Sequence, residues 1–221
     1  MKRFAPAALA LLLCSCQTTS YEPPVRDYAA LAAAAVGKYT IDDNNVYGLR
    51  LEGKLDPGFQ VLESRKEGPW SVDKVVDKSS GFDNAEVTTD ETGAIVRIRF
   101  FKTTHTDFGR QDAYNSIYQT LKAKYKAVQV LGDLDTSEMT VNVADGVDDW
   151  KQHYIEYLQL MDEPNNLGAQ FCWILHPHLS VVSAVFHREA NGTTMVLDFQ
   201  TKRYAAALKA KAAPAPASAN P

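Results

Sequence analysis

The 221-residue sequence predicts an α+β fold: a mainly antiparallel sheet with two or three helices packed on one face. Three observations point there. Apolar and polar residues alternate with period two in two pairs of segments, and each pair is joined by a turn ending in glycine, the mark of hairpins built from half-buried strands. Two other segments carry apolar residues at helical spacing. The order of these elements lacks the regular strand–helix–strand alternation of a parallel sheet. Composition is that of a globular protein, 45% hydrophobic and 23% charged, which excludes collagen-like, coiled-coil and wholly disordered chains. The length is ample for a hydrophobic core.

In chain order, Tyr28 to Val36 is rich in Ala and predicts a short helix that buries little. A single domain is expected over residues 39–210, opening near Tyr39. Val46 to Leu51 and Phe59 to Leu62 are short strand candidates. Phe82 to Thr89 and Ala94 to Phe101 flank the turn Asp90-Glu91-Thr92-Gly93, a four-residue hairpin loop. In the second arm Ala94, Val96, Ile98 and Phe100 make an apolar face, and Ile95, Arg97, Arg99 and Phe101 a mixed one. Tyr114, Ile117, Tyr118, Leu121 and Tyr125 form the first helical stripe. Val147, Trp150, Tyr154, Tyr157, Leu158 and Met161 form the second, with Asp145 as its expected N-cap and Pro164 as its stop. Phe171 to Leu175 adds a strand before Pro177. Ser180 to His187 and Thr193 to Gln200 make a second hairpin around Asn191-Gly192. Lys211 to Pro221 alternates Ala with Pro, which can neither continue a helix nor supply a core, and is expected to be a disordered tail.

The N-terminus carries the most specific signal. Lys2 and Arg3 form a positive region ahead of Phe4 to Leu13, an apolar stretch interrupted only by Pro6. It is too short for a bilayer, which takes about 20 apolar residues, and suits the core of a signal peptide. It ends in Leu13-Cys14-Ser15-Cys16. This resembles the lipobox of bacterial lipoproteins, with Cys in place of the more usual Ala, Thr or Val at its second position. The resemblance implies a signal peptide over residues 1–15, a diacylglyceryl group on the Cys16 thiol, cleavage just before it and acylation of the new amine. Several acyl chains anchor a protein stably where one does so only marginally. Residues 16–38 then read as a lipidated tether containing the short helix. Gln17, rather than Asp, after the cysteine resembles lipoproteins sent on to the outer membrane.

Charge and cysteine count fit that setting. Without Lys2 and Arg3 the chain has 21 basic and 27 acidic residues, a net charge of −6, which argues against capture of nucleic acid. Of three cysteines, Cys14 leaves with the leader and Cys16 is capped by lipid. Cys172, in the apolar run Ala169 to Leu175, is left without a disulfide partner and reads as a core residue.

Chemical motifs are sparse. There is no G-x-S-x-G, P-loop, G-x-G-x-x-G, HExxH or CxxC, so no cofactor is expected and no catalytic residue is assigned. His176-Pro177-His178 is the one close pair of histidines and supplies two candidate metal ligands, short of the three or four that zinc needs, with His187 or Asp198 as possible additions. The plainer reading is two surface histidines at a strand end. His105 and Asp107 share a polar loop after a strand. Lys122, Lys124 and Lys126 read as the solvated face of a helix, favourably placed at its C-terminal end. The acidic run from Asp133 to Asp149 lacks the spacing of an EF-hand loop and reads as loop solvation with helix capping. The expectation is therefore a lipid-anchored lipoprotein of the bacterial envelope, facing the periplasm from the outer membrane. Its partners are the membrane, through Cys16, and an envelope protein or other envelope component that it binds without catalysis. The alternatives are an anchored hydrolase using His105, Asp107, His176 and His178, and a metal carrier using His176 and His178.

Overall fold

The computed structural model describes residues 25–76, 81–132, 137–163 and 170–212. The leader, Cys16, Pro164 and residues 213–221 lie outside them.

Helix α1 (Tyr28–Tyr39) starts at Asp27, whose carboxylate accepts from Ala30 N at 3.0 Å. A small hairpin follows, β1 (Asn45–Val46) and β2 (Leu49–Arg50). Its two-residue loop, Tyr47-Gly48, takes positive φ at both positions (48° and 84°), as a tight turn between twisted strands demands. Four strands then meander: β3 (Gln60–Glu67), β4 (Trp70–Val76), β5 (Asn84–Thr89) and β6 (Ile95–Thr104). Asp90 holds the β5–β6 loop by accepting from Thr92 N at 2.9 Å and Ala94 N at 3.0 Å.

Helix α2 (Asp107–Tyr125) is capped by Thr106, whose hydroxyl accepts from Gly109 N at 3.0 Å. It ends at Lys126, which adopts a left-handed φ of 60° and donates its N–H to Lys122 O at 2.8 Å. Then come β7 (Gln129–Leu131), β8 (Glu138–Ala144), α3 (Val147–Met161), β9 (Trp173–Leu175), β10 (Leu179–Glu189), β11 (Gly192–Thr201) and α4 (Lys202–Ala212).

The fold is α+β, with one nine-stranded sheet in the order β3-β4-β5-β6-β11-β10-β8-β7 and β9 added beside β8. Every pairing is antiparallel except β8–β9. The principal core lies between one sheet face and α2. It joins Ile98, Phe100, Ala184, Phe186, Leu197 and Phe199 to Ile117, Leu121 and Tyr125, and Val46, Leu49 and Leu51 of the small hairpin close one end. Tyr204 of α4 lies against Arg97 and Trp70, on the sheet face that Arg97 shares with Arg99 and Asp198. A second core forms where α1 and α3 meet β8 and β9, around the fully buried Trp150 with Ala144 and Leu175.

The structure amends several local expectations. Strict alternation in β6 fails at its start: a register shift between Thr88 and Thr89 inserts one extra residue, so Ile95 joins the core face and both Ile95 and Val96 are fully buried. The acidic stretch holds a strand, β8, because Met139, Val141 and Val143 alternate toward the core between polar residues. Gly146, not Asp145, caps α3. The Asp149 carboxylate reaches back from the first turn and accepts from Asp145 N at 2.9 Å. Lys211 and Ala212, the expected start of the tail, complete α4.

Candidate functional site

His176 is a structural histidine. Burial leaves it 2% exposed. Its Nδ1 accepts from two backbone amides, His178 N at 3.1 Å and Leu179 N at 3.0 Å, and Nε2 stands 3.3 Å from the Asp43 carbonyl. Nδ1 must therefore be the bare nitrogen and Nε2 the one that carries hydrogen. Burial pushes its pKa down to about 4, helped by the charges of His178, Lys124 and Lys202. Both ring nitrogens are committed, so His176 has no lone pair to offer a metal. The histidine pair corrects both sequence expectations: His178 is exposed, whereas His176 is neither a surface residue nor an available ligand. Their rings stand 6.4 Å apart. Among the described residues no group of three His, Cys, Asp or Glu side chains is placed to hold a metal ion.

His105 and Asp107 lie at the opposite end of the molecule. They line a polar cleft of about 290 Å3 between the start of α2 and the β10–β11 loop, with Arg110 and Arg188. His105 Nδ1 lies 2.7 Å from Asn191 O, and since a carbonyl only accepts, Nδ1 is the donor. Asp107 pairs with Arg110 at 3.3 Å. His105 thus binds just beyond the end of β10 and His176 just before its start. An extended strand of that length separates them by on the order of 30 Å. The four side chains named for a hydrolase do not share one cleft.

Two neighbouring hollows, not marked in advance by the sequence, lie along α2. The larger, about 300 Å3, lies between α2 and a wall that includes Tyr47, Phe82, Lys102, Thr104 and Met195. The smaller, about 180 Å3, reaches the end of the helix at Lys124 and Tyr125, under the β1–β2 hairpin. Tyr47 and Thr120 line both. Asp112, Ser116 and Thr120 fall four residues apart and form one polar rim, above the buried Ile117 and Leu121. Compared with known proteins, the chain matches no family model, no curated protein and no solved structure. The site is therefore read from its own geometry.

Among the described residues, two hydroxyls beside these hollows, Thr104 Oγ1 and Tyr125 Oη, are sealed from solvent and meet no hydrogen-bond partner; Tyr125 is 1% exposed. Burial also pushes the Tyr125 phenol well above its usual pKa, so it stays protonated and able to donate. The two lysines at the margins are engaged. Lys102 donates to Gly81 O at 2.8 Å and sits 3.7 Å from Asp83, and Lys124 pairs with Asp43 at 3.1 Å and donates to Asn45 O. Lys124 thus ties α2 to the N-terminal hairpin, which the solvated-face reading did not foresee. Cys172 is half-buried, with its thiol 3.6 Å from Gln170 O and its pKa raised by burial. The signal that would have found the larger hollow is the run of small polar residues at 112, 116 and 120, interleaved with the apolar stripe.

Proposed function

We propose that this chain is a lipid-anchored lipoprotein of the bacterial envelope. Its signal peptide ends at Ser15, acyl chains on Cys16 hold it to the outer membrane facing the periplasm, and its α+β domain binds an envelope component without catalysing a reaction. The observation that carries this reading is the sequence Leu13-Cys14-Ser15-Cys16 behind a short apolar stretch. The binding role, as against hydrolysis, is supported by the separation of His105 and Asp107 from His176 and His178 across the length of β10. With no two of the acid–base candidates from different segments meeting in one cleft, there is no shared point at which a reacting bond could sit.

The test is chemical. Diacylglyceryl transfer needs a thiol, and serine is no comparable nucleophile near neutral pH. Cys16→Ser should lose all label when cells expressing the chain are fed radioactive palmitate, and its leader should remain uncut or be miscut. Label retained on Cys16→Ser refutes the anchor. Cross-linking in the native envelope should recover a specific bound component, and recovery of none counts against the binding role.

A further inference from the structure

We infer that the outer face of α1 rests on the bilayer in which Cys16 is anchored, so that a helix face as well as the acyl chains holds the domain to the membrane. This rests on the reading of Cys16 as a lipid anchor and adds which surface of the domain meets the lipid.

Composition comes first. From Tyr28 to Gly37 the only polar side-chain group of α1 is the Tyr28 hydroxyl, which donates to Asp162 at 3.0 Å. The side of the helix with Ala32, Ala35 and Val36 turns to the protein, against α3 and β9. The other side, with Ala29, Ala30, Leu31, Ala33 and Ala34, is exposed and wholly apolar. A helix lying on a globular protein in water turns polar residues outward, as α3 does with Asp148, Gln152, Glu156 and Gln159. A helix that is apolar all round is one covered on both sides. Chain length selects the cover. The Arg26–Asp162 ion pair at 3.2 Å and the Tyr28–Asp162 hydrogen bond fix the start of α1 to the end of α3. They bring exposed Leu160 and Met161 to the end where Val25 and Leu31 are exposed. The chain from Cys16 arrives at this same end. Residues 16 to 25 span at most about 32 Å when fully extended, more than the roughly 18 Å length of α1. The anchor therefore keeps α1 within reach of the lipid, and tethering gives even a shallow contact a high effective concentration. Arg26 and Lys38 bracket the apolar run, and their long stems let the charged heads stay among the headgroups. A second copy of the chain fits less well, because one face of small side chains on a 12-residue helix falls short of the roughly 800 Å2 per partner of a stable dimer.

The experiment places a nitroxide on the full chain, reconstituted in vesicles of phosphatidylethanolamine and phosphatidylglycerol after the mass of the Cys16 peptide has shown acylation. Ala30→Cys and Ala34→Cys carry the label on the outer face of α1, each with Cys172→Ser so that a single thiol reacts. Val61→Cys is the comparator: it is exposed on β3, six strand spacings or about 29 Å across the sheet from β8, where α3 and α1 pack. Labels at 30 and 34 should collide severalfold less with a water-soluble nickel chelate than the label at 61, and more with oxygen, which concentrates in lipid. Ala33→Glu sets a charge on the same exposed face while suiting a helix. It should leave the thermal midpoint unchanged and return the label at 34 to water. Labels at 30 and 34 as open to nickel as the label at 61 overturn the proposal, as does protection that Ala33→Glu leaves unchanged. Protection that rises with protein concentration at fixed lipid assigns the face to a second copy and equally overturns it. An acylated chain whose labels stay in water loses only this contact, whereas an unacylated Cys16 removes the anchor and the contact together.

Discussion

His176 shows how one side chain can be both indispensable and chemically silent. Its Nδ1 satisfies two backbone amides where β10 begins, and its pKa is depressed to about 4, below the ordinary value of about 6.5 for histidine. The unfolded chain therefore binds a proton at this site between those two values while the folded chain does not. Stability contributed by neutral His176 is complete above about pH 6.5 and is lost as pH falls toward about 4. His176→Asn keeps an acceptor in place of Nδ1 but cannot titrate. Its thermal midpoint should fall less steeply than that of the parent between pH 6.5 and 4, and parallel profiles would refute the assignment. Carboxylates titrate in both proteins, so the difference between the profiles isolates the imidazole. The sequence made this residue conspicuous for the wrong reason: spacing shows which side chains lie near each other, not that both nitrogens are already in use.

At the scale of elements, the β5–β6 and β10–β11 hairpins and the helices α2 and α3 were legible because period-two and helical patterns are imposed by burial on one side. The strands β4 and β8 were not, since charged neighbours such as Asp73, Lys74 and Glu138 mask their short apolar alternation. Nor was the extra residue at Val96, because a bulge leaves no compositional trace. The two faces of β6 now make a sharper comparison. Ile98 is fully buried, and burying such a side chain is worth roughly 2 kcal/mol or more. Ile98→Asp should abolish cooperative unfolding. Arg97 stands on the other face, which the sequence treated as solvated. Its side chain is 20% exposed, donates from Nε to Asp198 at 3.0 Å and lies 5.8 Å from the Tyr204 ring centre. Arg97→Asp should therefore be clearly destabilising rather than mild, because it sets a second carboxylate beside Asp198. Arg97→Met, which keeps the stem that covers Tyr204, should cost less. Urea unfolding curves decide the ranking, with no transition expected for Ile98→Asp and midpoints compared for the two Arg97 variants, and an Arg97→Asp midpoint equal to the parent's would show that this face is open to water.

Across the whole molecule, two cores share the strands β8 and β9, with Val143 and Ile174 turned to one and Ala144 and Leu175 to the other. The smaller core is built from rings. Tyr39 stands 5.3 Å from Trp150, 5.7 Å from Tyr154 and 5.3 Å from Phe171, pinning the C-terminal end of α1 to α3. Tyr39→Ala should release α1 with little effect on the sheet. Hydrogen exchange should quicken over residues 28–39 while β6, β10 and β11 keep their protection, whereas uniform loss across the chain would mean that the cores unfold as one. The composition of α1 hid this role, for its alanines predict a helix without showing where it docks.

The central seam of the sheet, β6 against β11, also governs the order of assembly. Arg97 and Asp198 are 101 residues apart in the chain. The meander β3 to β6 can form early, but its inner edge waits for β11. Ordering so much chain before the seam closes carries a high loop-closure cost, and sheets dominated by such distant pairings fold slowly. Until Thr201 is available, β6 presents an unsatisfied backbone edge flanked by Ile98 and Phe100, a template for any other extended segment. The chain is therefore most exposed to misassembly until β11 has been made, and a holding factor that shields β6 up to that point would protect it more than one acting on the folded domain.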